Sequence, residues 1–421
     1  GRMRLPWSSS MPWLVLAFAV ASAVATNTTQ PWGGSPCYKP FELTKEEKKQ
    51  QKQQQQGWMS LMSSPPSPNA VFCRPSFVII GVGKCGTSSL YYYLASHPSV
   101  KKASTKQLEW FDHRYAQAKF VTSYLKSFPK LKDGEMSGES SPGYIAYPIV
   151  SQRVANHLSM REAGLLKSSG GTRFLAIARD PGRRAFSSYN YNYLTVAKDT
   201  PISFHTLVLA EMAFLRRCFR GDAKRDECKE APHLCRHDLS GTCYNAHSKE
   251  DQVGAEAAKE LGPNFRSSLP RGNAHLWRQI VGRSLYSTYL EWWYDVFEPS
   301  EIRLVCLEDL SESAASVEMD SISQFLGLKS FDYSKVLKGK FNAGDSHAGY
   351  GKVTPWGATP AGKKSRPRPD AATLAAIAEF AEPFNERLFQ LAGHRCPWQK
   401  TDNSSSPDGA RKGSRRRGRR R

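Results

Sequence analysis

The segment best suited to chemistry is F-V-I-I-G-V-G-K-C-G-T-S-S-L, from Phe77 to Leu90. An apolar run, Phe77-Val78-Ile79-Ile80, leads into Gly81 and Gly83, then Lys84, Gly86, Thr87 and Ser88, and a helix over Leu90–Ala95. That order is the pattern of a buried parallel strand entering a crossover. Glycines let the backbone turn its N–H groups inward, and a helix N-terminus adds partial positive charge. The Lys84 ammonium and the Thr87 and Ser88 hydroxyls complete a cradle for an anion. A plain glycine turn before a helix needs no such combination of strand, lysine and hydroxyls. The loop is not of the Walker A type. There the lysine follows the last glycine and the next hydroxyl holds magnesium, whereas Lys84 precedes Gly86.

The order K-x-G-T-S/T-x-L, carried by Lys84, Gly86, Thr87, Ser88 and Leu90, resembles the 5′-phosphosulfate loop of sulfotransferases. Those enzymes take a sulfuryl group from 3′-phosphoadenosine 5′-phosphosulfate. The resemblance implies that Lys84, Cys85, Gly86, Thr87, Ser88 and Ser89 hold this donor, with Lys84 stabilising the departing bridging oxygen. A second site must then bind the 3′-phosphate. Arg173–Ala178 (RFLAIA) reads as another buried strand and is followed by R-D-P-G-R-R-A-F-S-S-Y. Arg179 lies at the strand's C-terminal end, where open α/β sheets bind ligands. Pro181 starts a helix that carries Ser187 about two turns further on. This resembles the family's 3′-phosphate motif R-D-P-x-x-R-x-x-S-x-Y, with Arg179, Ser187 and Tyr189 at the matching positions.

The likeness continues through Gly282–Leu310, which resembles G-x-Y-x-x-x-L-x-x-W-x-x-x-F of heparan and chondroitin sulfotransferases, its aromatics reading as core. Lys364-Ser365-Arg366-Pro367-Arg368-Pro369 is similar to the K-G-R-x-H-P loop that closes over the nucleotide, which implies donor contacts from Lys364 and Arg366. The helix read over Thr373–Leu391, broken by Pro383, matches the family's closing helix through Pro383-Phe384-Asn385 and Leu388.

Sulfuryl transfer needs a base for the acceptor, cationic stabilisation of the leaving phosphate and in-line geometry, and requires no metal. In the heparan sulfate family the base is the Glu of K-E-x-H-F-F-D. Here the segment is Lys106-Gln107-Leu108-Glu109-Trp110-Phe111-Asp112-His113, with Gln107 at the Glu position. An amide cannot act as a base. Glu109 is the first candidate to replace it, since on an extended strand residues two apart project to one side. Asp112 and His113 are the next, and nucleotide binding without turnover is the remaining account. Gly138-Glu139-Ser140-Ser141-Pro142-Gly143-Tyr144 resembles G-E-K-S-P-x-Y, with Ser140 replacing a lysine that contacts substrate. Acceptor contacts are thus expected from Gln107, Asp112, Glu139 and Tyr144.

Strands separated by helices must position these groups. With Ile302–Leu307 as a third buried strand and apolar residues at helical spacing over Leu285–Phe297, the pattern is α/β. The expectation is a single P-loop-like domain, residues 71–398, with a central parallel sheet flanked by helices. Residues 215–275 break the rhythm and read as a cysteine-containing insertion. Cys218, Cys228, Cys235 and Cys243, four of nine cysteines, form two disulfides there in an oxidising compartment. A zinc site with His233, His237 or His247 lacks the usual C-x-x-C spacing.

Residues 27–70, rich in Gln, Lys, Pro and Ser, read as a stem, and residues 399–421 as a disordered basic tail. Arg2 and Arg4 precede the apolar run Met11–Ala25, so residues 1–26 read as a signal peptide or a type II membrane anchor. With sequons at Asn27 and Asn403, this implies a Golgi membrane enzyme with a lumenal domain, or a secreted one. The formal charge is +21, and the tail's eight Arg/Lys against two Asp leave +15 on residues 1–400. A body that basic calls for a polyanion, and lumenal topology removes nucleic acid, leaving an acidic glycan as acceptor. A kinase or NTPase is disfavoured by the position of Lys84 and by the lack of a magnesium-holding acidic motif. A pure polyanion-binding protein is the other class.

Overall fold

The computed structural model describes residues 37–38, 72–112, 115, 124–159, 171–193, 203–220, 280–310, 314–341, 353–356 and 369–398. All lie in a unit spanning Trp32–Arg421. An antiparallel ribbon of β1 (Cys37–Tyr38) and β2 (Phe72–Cys73) is fastened by a Cys37–Cys73 disulfide. The apolar run before the first glycines forms β3 (Phe77–Gly81), buried at every position. Four further strands join it: β4 (Val100–Lys102), β5 (Met136–Ser140), β6 (Arg173–Ala178) and β7 (Ile302–Cys306). They form one parallel sheet in the order β4-β5-β3-β6-β7. Unbroken apolar strands suit this architecture because helices cover both faces of a parallel sheet.

The chain leaves β3 toward β4 on one side and leaves β6 toward β7 on the other. The crevice where such a sheet reverses its order collects ligands, and here it lies beyond the adjoining ends of β3 and β6. The two motifs picked out in the sequence follow these two strands.

Helix α1 (Thr87–Leu94) begins a turn earlier than its apolar spacing predicts. Gly86 supplies a left-handed cap at φ 94°, which brings Thr87 and Ser88 into the first turn. A Cβ at Gly86 would sit 2.6 Å from Leu307 Cδ1, so both conformation and space demand glycine. Further helices are α2 (Pro148–Val154), α3 (Pro181–Ser188), α4 (Phe204–Arg220), α5 (Tyr286–Tyr294), α6 (Ala315–Leu326) and α7 (Ser334–Leu337). A short hairpin pairs β8 (Gly339–Phe341) with β9 (Val353–Pro355), before α8 (Ala371–Ala392). The α5 aromatics Tyr289, Trp292 and Trp293 are buried in the main core. A second cluster joins Ala185, the apolar face of α4, Leu285 and, from α8, Ile377 and Ala381.

Two expectations change. Leu215–Arg220 belong to α4 instead of opening an insertion, because Leu215 and Cys218 sit on its buried face. Cys218 is disulfide-bonded; the rest of the predicted insertion, the termini, His113, Lys364 and Arg366 lie outside the described residues. Helix α8 also runs unbroken through Pro383. Pro383 is exposed, as is Glu379, whose carbonyl it leaves unbonded, so water can satisfy that group while Ile377, Ala381 and Leu388 hold the buried face. None of the described helices is long and apolar enough to cross a membrane.

A Cys306–Cys396 disulfide joins the end of β7 to the segment after α8, closing a sequence separation of 90 residues. Replacing both cysteines with alanine should lower stability by about 2–4 kcal/mol, because the open loop gives the unfolded chain more freedom. Urea unfolding would show a lower midpoint and a steeper slope, since the opened chain exposes more surface; an unchanged midpoint would mean that α8 holds its place by packing alone.

Candidate active site

The glycine-rich turn between β3 and α1 carries Lys84 at φ 73°. Its carbonyl accepts from Arg179 Nη1 (3.5 Å), which brings the two predicted phosphate motifs together. Arg184 Nε donates to Gly83 O (3.2 Å), and its Nη1 to Ile280 O (2.9 Å). Only 2% of Arg184 is exposed, so it braces the turn from beneath. The Lys84 ammonium lies 3.7 Å from the ring centroid of Tyr191, in a π-turn (Tyr189–Tyr193) that continues α3. The first turn of α1 has no side-chain cap, so its N–H groups point along the axis toward the turn, the arrangement that binds anions.

The donor candidates divide within this turn. Lys84, Gly86 and Ser88 are partly exposed on it. Thr87 is buried, and two others are turned away. The Cys85 thiol is fully buried 3.6 Å from Tyr286 OH, with its pKa pushed up to about 11 by burial, and its N–H donates to Val82 O. The Ser89 hydroxyl accepts from Phe341 N (3.0 Å) and so serves the β8 hairpin. Neither side chain is available to a ligand.

After β6, Asp180 caps α3 by accepting from Arg183 N (2.7 Å). Its own N–H donates to Glu308 (3.1 Å), while Tyr286 OH donates to Arg179 O (2.7 Å). Arg179 and Ser187 remain half-buried on this side of the crevice.

On the other side, residues 103–112 form a loop anchored to a buried carboxylate. Glu139 accepts from Leu108 N (3.3 Å), Tyr124 OH (2.8 Å), Ser141 Oγ (2.6 Å) and Tyr144 OH (3.1 Å). Tyr144 OH in turn accepts from Trp110 N at 2.9 Å. Both Glu139 and Tyr144 are fully buried. They therefore position the loop and cannot touch an acceptor, contrary to the reading from the motif. Glu109 is also not on an extended strand: its φ is 53°, and its N–H donates to Ser141 Oγ (2.9 Å). The turn still brings Gln107 Nε2 within 2.5 Å of Glu109 Oε1, so the amide in the family's carboxylate position orients the neighbouring carboxylate. Gln107, Glu109 and Asp112 are partly exposed there.

Lys106 joins the two sides, its Nζ donating to Ser88 Oγ at 3.3 Å. It precedes Gln107 in the segment that resembles the family's base motif, where its side-chain contact is not legible from the sequence. Tyr191, Tyr286 and Glu308 were also missed, because they become neighbours of the site only through packing. Among the described residues, Cys306, Asp309 and His394 form a group of metal-ligand type, but the Cys306 sulfur is in a disulfide and offers no thiolate.

Burial raises the Glu139 pKa from its ordinary 4.5 to about 7, against the opposing effect of its hydrogen bonds. Between those values the unfolded chain has released this proton and the native protein retains it, so the group's contribution falls as pH rises through the window. Glu139→Gln does not titrate there. The stability of wild type relative to this variant should decline between about pH 4.5 and 7 and stay flat above, as read by urea midpoints. Parallel profiles for the two proteins would contradict the assignment.

The match to known proteins covers these same elements. Residues 74–339 match the family model described as Sulfotransferase domain. The membrane-associated sulfotransferase kil1 of Dictyostelium discoideum is 25% identical over 292 residues, 64% of this chain and 59% of that protein. Human heparan sulfate glucosamine 3-O-sulfotransferase 3B1 is 22% identical over 331 residues, 77% of this chain and 65% of that protein. The chain thus spans less than two thirds of the length of either relative. A solved sulfotransferase from Alicyclobacillus acidocaldarius is similar at TM-score 0.44 and 18% identity, over 76% of this chain and 97% of that one. With its phosphate turn and its R-D-P helix both inside the matched region, the chain belongs to the sulfotransferase family.

Proposed function

We propose that the protein transfers a sulfuryl group from 3′-phosphoadenosine 5′-phosphosulfate to a hydroxyl or amine of an acidic glycan. The observation that carries this is the contact between Arg179 and the Lys84 carbonyl, which sets the two phosphate motifs side by side at the sheet's crevice. In this reading the α1 N-terminus, Lys84, Gly86, Thr87 and Ser88 receive the 5′-phosphosulfate. Arg179 and Ser187 receive the 3′-phosphate, and Lys364 and Arg366 close over the nucleotide. The acceptor oxygen attacks sulfur in line as the bond from sulfur to the 5′-phosphate oxygen breaks. Lys84 stabilises the charge on that leaving oxygen, and Glu109 takes the acceptor's proton.

The acceptor class rests on a +15 body and on relatives whose printed names include heparan sulfate glucosamine. A lumenal location is supported by the disulfides Cys37–Cys73 and Cys306–Cys396, which need an oxidising compartment. A second reading, nucleotide binding without turnover, has Gln107 in its favour.

The product nucleotide, 3′,5′-bisphosphoadenosine, should raise the melting temperature without magnesium; stabilisation by ATP–magnesium instead would point to a kinase. Transfer of labelled sulfate to a panel of glycans separates turnover from binding alone. Glu109→Gln should lower kcat by about 10²–10⁴-fold while the product nucleotide binds as before. Unchanged activity would remove Glu109 as the base.

A further inference from the structure

We infer that Lys106 is a second cation of the donor site, a positioning residue that acts on the phosphosulfate through Ser88 and couples donor binding to the loop carrying Glu109. This rests on the donor assignment proposed above.

Three observations converge on Lys106. Only 7% of the residue is exposed, an uncommon setting for an ammonium unless it meets charge or strong hydrogen-bond partners. Its carbonyl accepts from Ser140 N (2.8 Å) at the end of β5, so its backbone is the last point held by the sheet before Gln107 and Glu109. Its Nζ crosses to Ser88 Oγ, in the first turn of α1. One residue thus has its main chain on β5, its side chain on the phosphate turn and the candidate base three positions on.

The chemistry follows from the direction of the hydrogen bond. The ammonium donates to the Ser88 oxygen, which leaves the hydroxyl proton to donate to an anion at the helix N-terminus. Donation by a cation polarises that hydroxyl and strengthens its bond to the anion. Burial pushes the Lys106 pKa down to about 8, with Glu139 and Glu109 acting against the shift, so the group keeps its charge near neutral pH. Lys84 meets the donor from the turn itself, whereas Lys106 adds charge from the acceptor side. A bound phosphosulfate would draw Lys106 and Ser88 together and thereby fix the start of the Gln107–Asp112 loop, so that the base is set once the donor is present.

Lys106→Met replaces the ammonium with an apolar side chain of similar length, a change that buried sites commonly tolerate. Affinity for 3′,5′-bisphosphoadenosine should fall by about tenfold, with a matching rise in the donor's KM, and Lys106→Arg should restore most of it. Ser88→Ala should weaken binding as well, and the double variant Lys106→Met with Ser88→Ala should lose less than the two single losses combined. Unaltered affinity in Lys106→Met, or additive losses in the double variant, would overturn the inference. Lys106→Arg and Ser88→Ala carry the same test if the Met variant does not fold. Wild-type protein is the control: failure to bind the nucleotide overturns the donor assignment itself, whereas binding by wild type and Lys106→Met alike overturns only the role of Lys106.

Discussion

A guanidinium almost sealed from solvent lies where the two phosphate motifs meet, and the site depends on it. Arg184 bonds to Gly83 O in the first motif, to Ser188 within its own helix and to Ile280 O in the segment leading to α5. Glu211 of α4 faces it and accepts from Val281 N and Gly282 N at 2.8 Å each. Burial raises the Glu211 pKa to about 8 against the pull of these bonds and of Arg184. At neutral pH that carboxyl is largely protonated, so the buried guanidinium relies on the carbonyl oxygens of Gly83 and Ile280, and removing those partners would leave it unpaired at high cost. The arrangement therefore fixes geometry: turn, helix and α5 entry keep one mutual position.

Around that point the two halves of the site are built differently. The proposed donor half is tied to the sheet through its backbone, with Val82 N bonded to Ile177 O and Leu307 N to Ala178 O. The proposed acceptor half is a loop that, among the described residues, the sheet's backbone holds only at Lys106, through Ser140 N. Its shape comes from Glu139, which gathers a backbone N–H and three hydroxyls from separate parts of the chain. With Glu139 buried in this way, Glu109 and Asp112 are the carboxylates partly exposed on the loop.

Helix α8 closes the molecule over the same region. Its residue Leu374 lies against Gly182 in the R-D-P helix, where a Cβ would meet Leu374 Cδ2 at 2.9 Å. Beyond α8, Trp398 Nε1 donates to Glu308 (3.0 Å), the carboxylate that also holds Asp180 N. The Cys306–Cys396 disulfide pins this segment two residues away. The end of the described chain thus supports the R-D-P segment through Glu308, and α8 packs on it although it lies beyond the matched region.

The local signals were legible in the sequence. Phe77-Val78-Ile79-Ile80 before glycines, Pro181 at the start of a helix and aromatics spaced along α5 each follow from short-range preferences that tertiary contacts do not reverse. The turn carrying Lys84, Gly86 and Ser88 ahead of a helix was legible too, because its conformation is set within a few residues. What a motif cannot tell is which way a side chain points. Glu139 and Tyr144 stand in a substrate motif yet are buried, since their surroundings come from Tyr124, Ser141 and a loop some 30 residues away. Pro383 marks a helix break by local rules and is overruled by the face that α8 buries. Lys106, Glu308 and the Cys306–Cys396 bond acquire meaning only from partners 18, 128 and 90 residues distant. Local spacing determined the glycine turn and the two strand–helix units of the proposed donor half; burial and long-range contact, which depend on the whole fold, decided which side chains of the proposed acceptor half stay exposed.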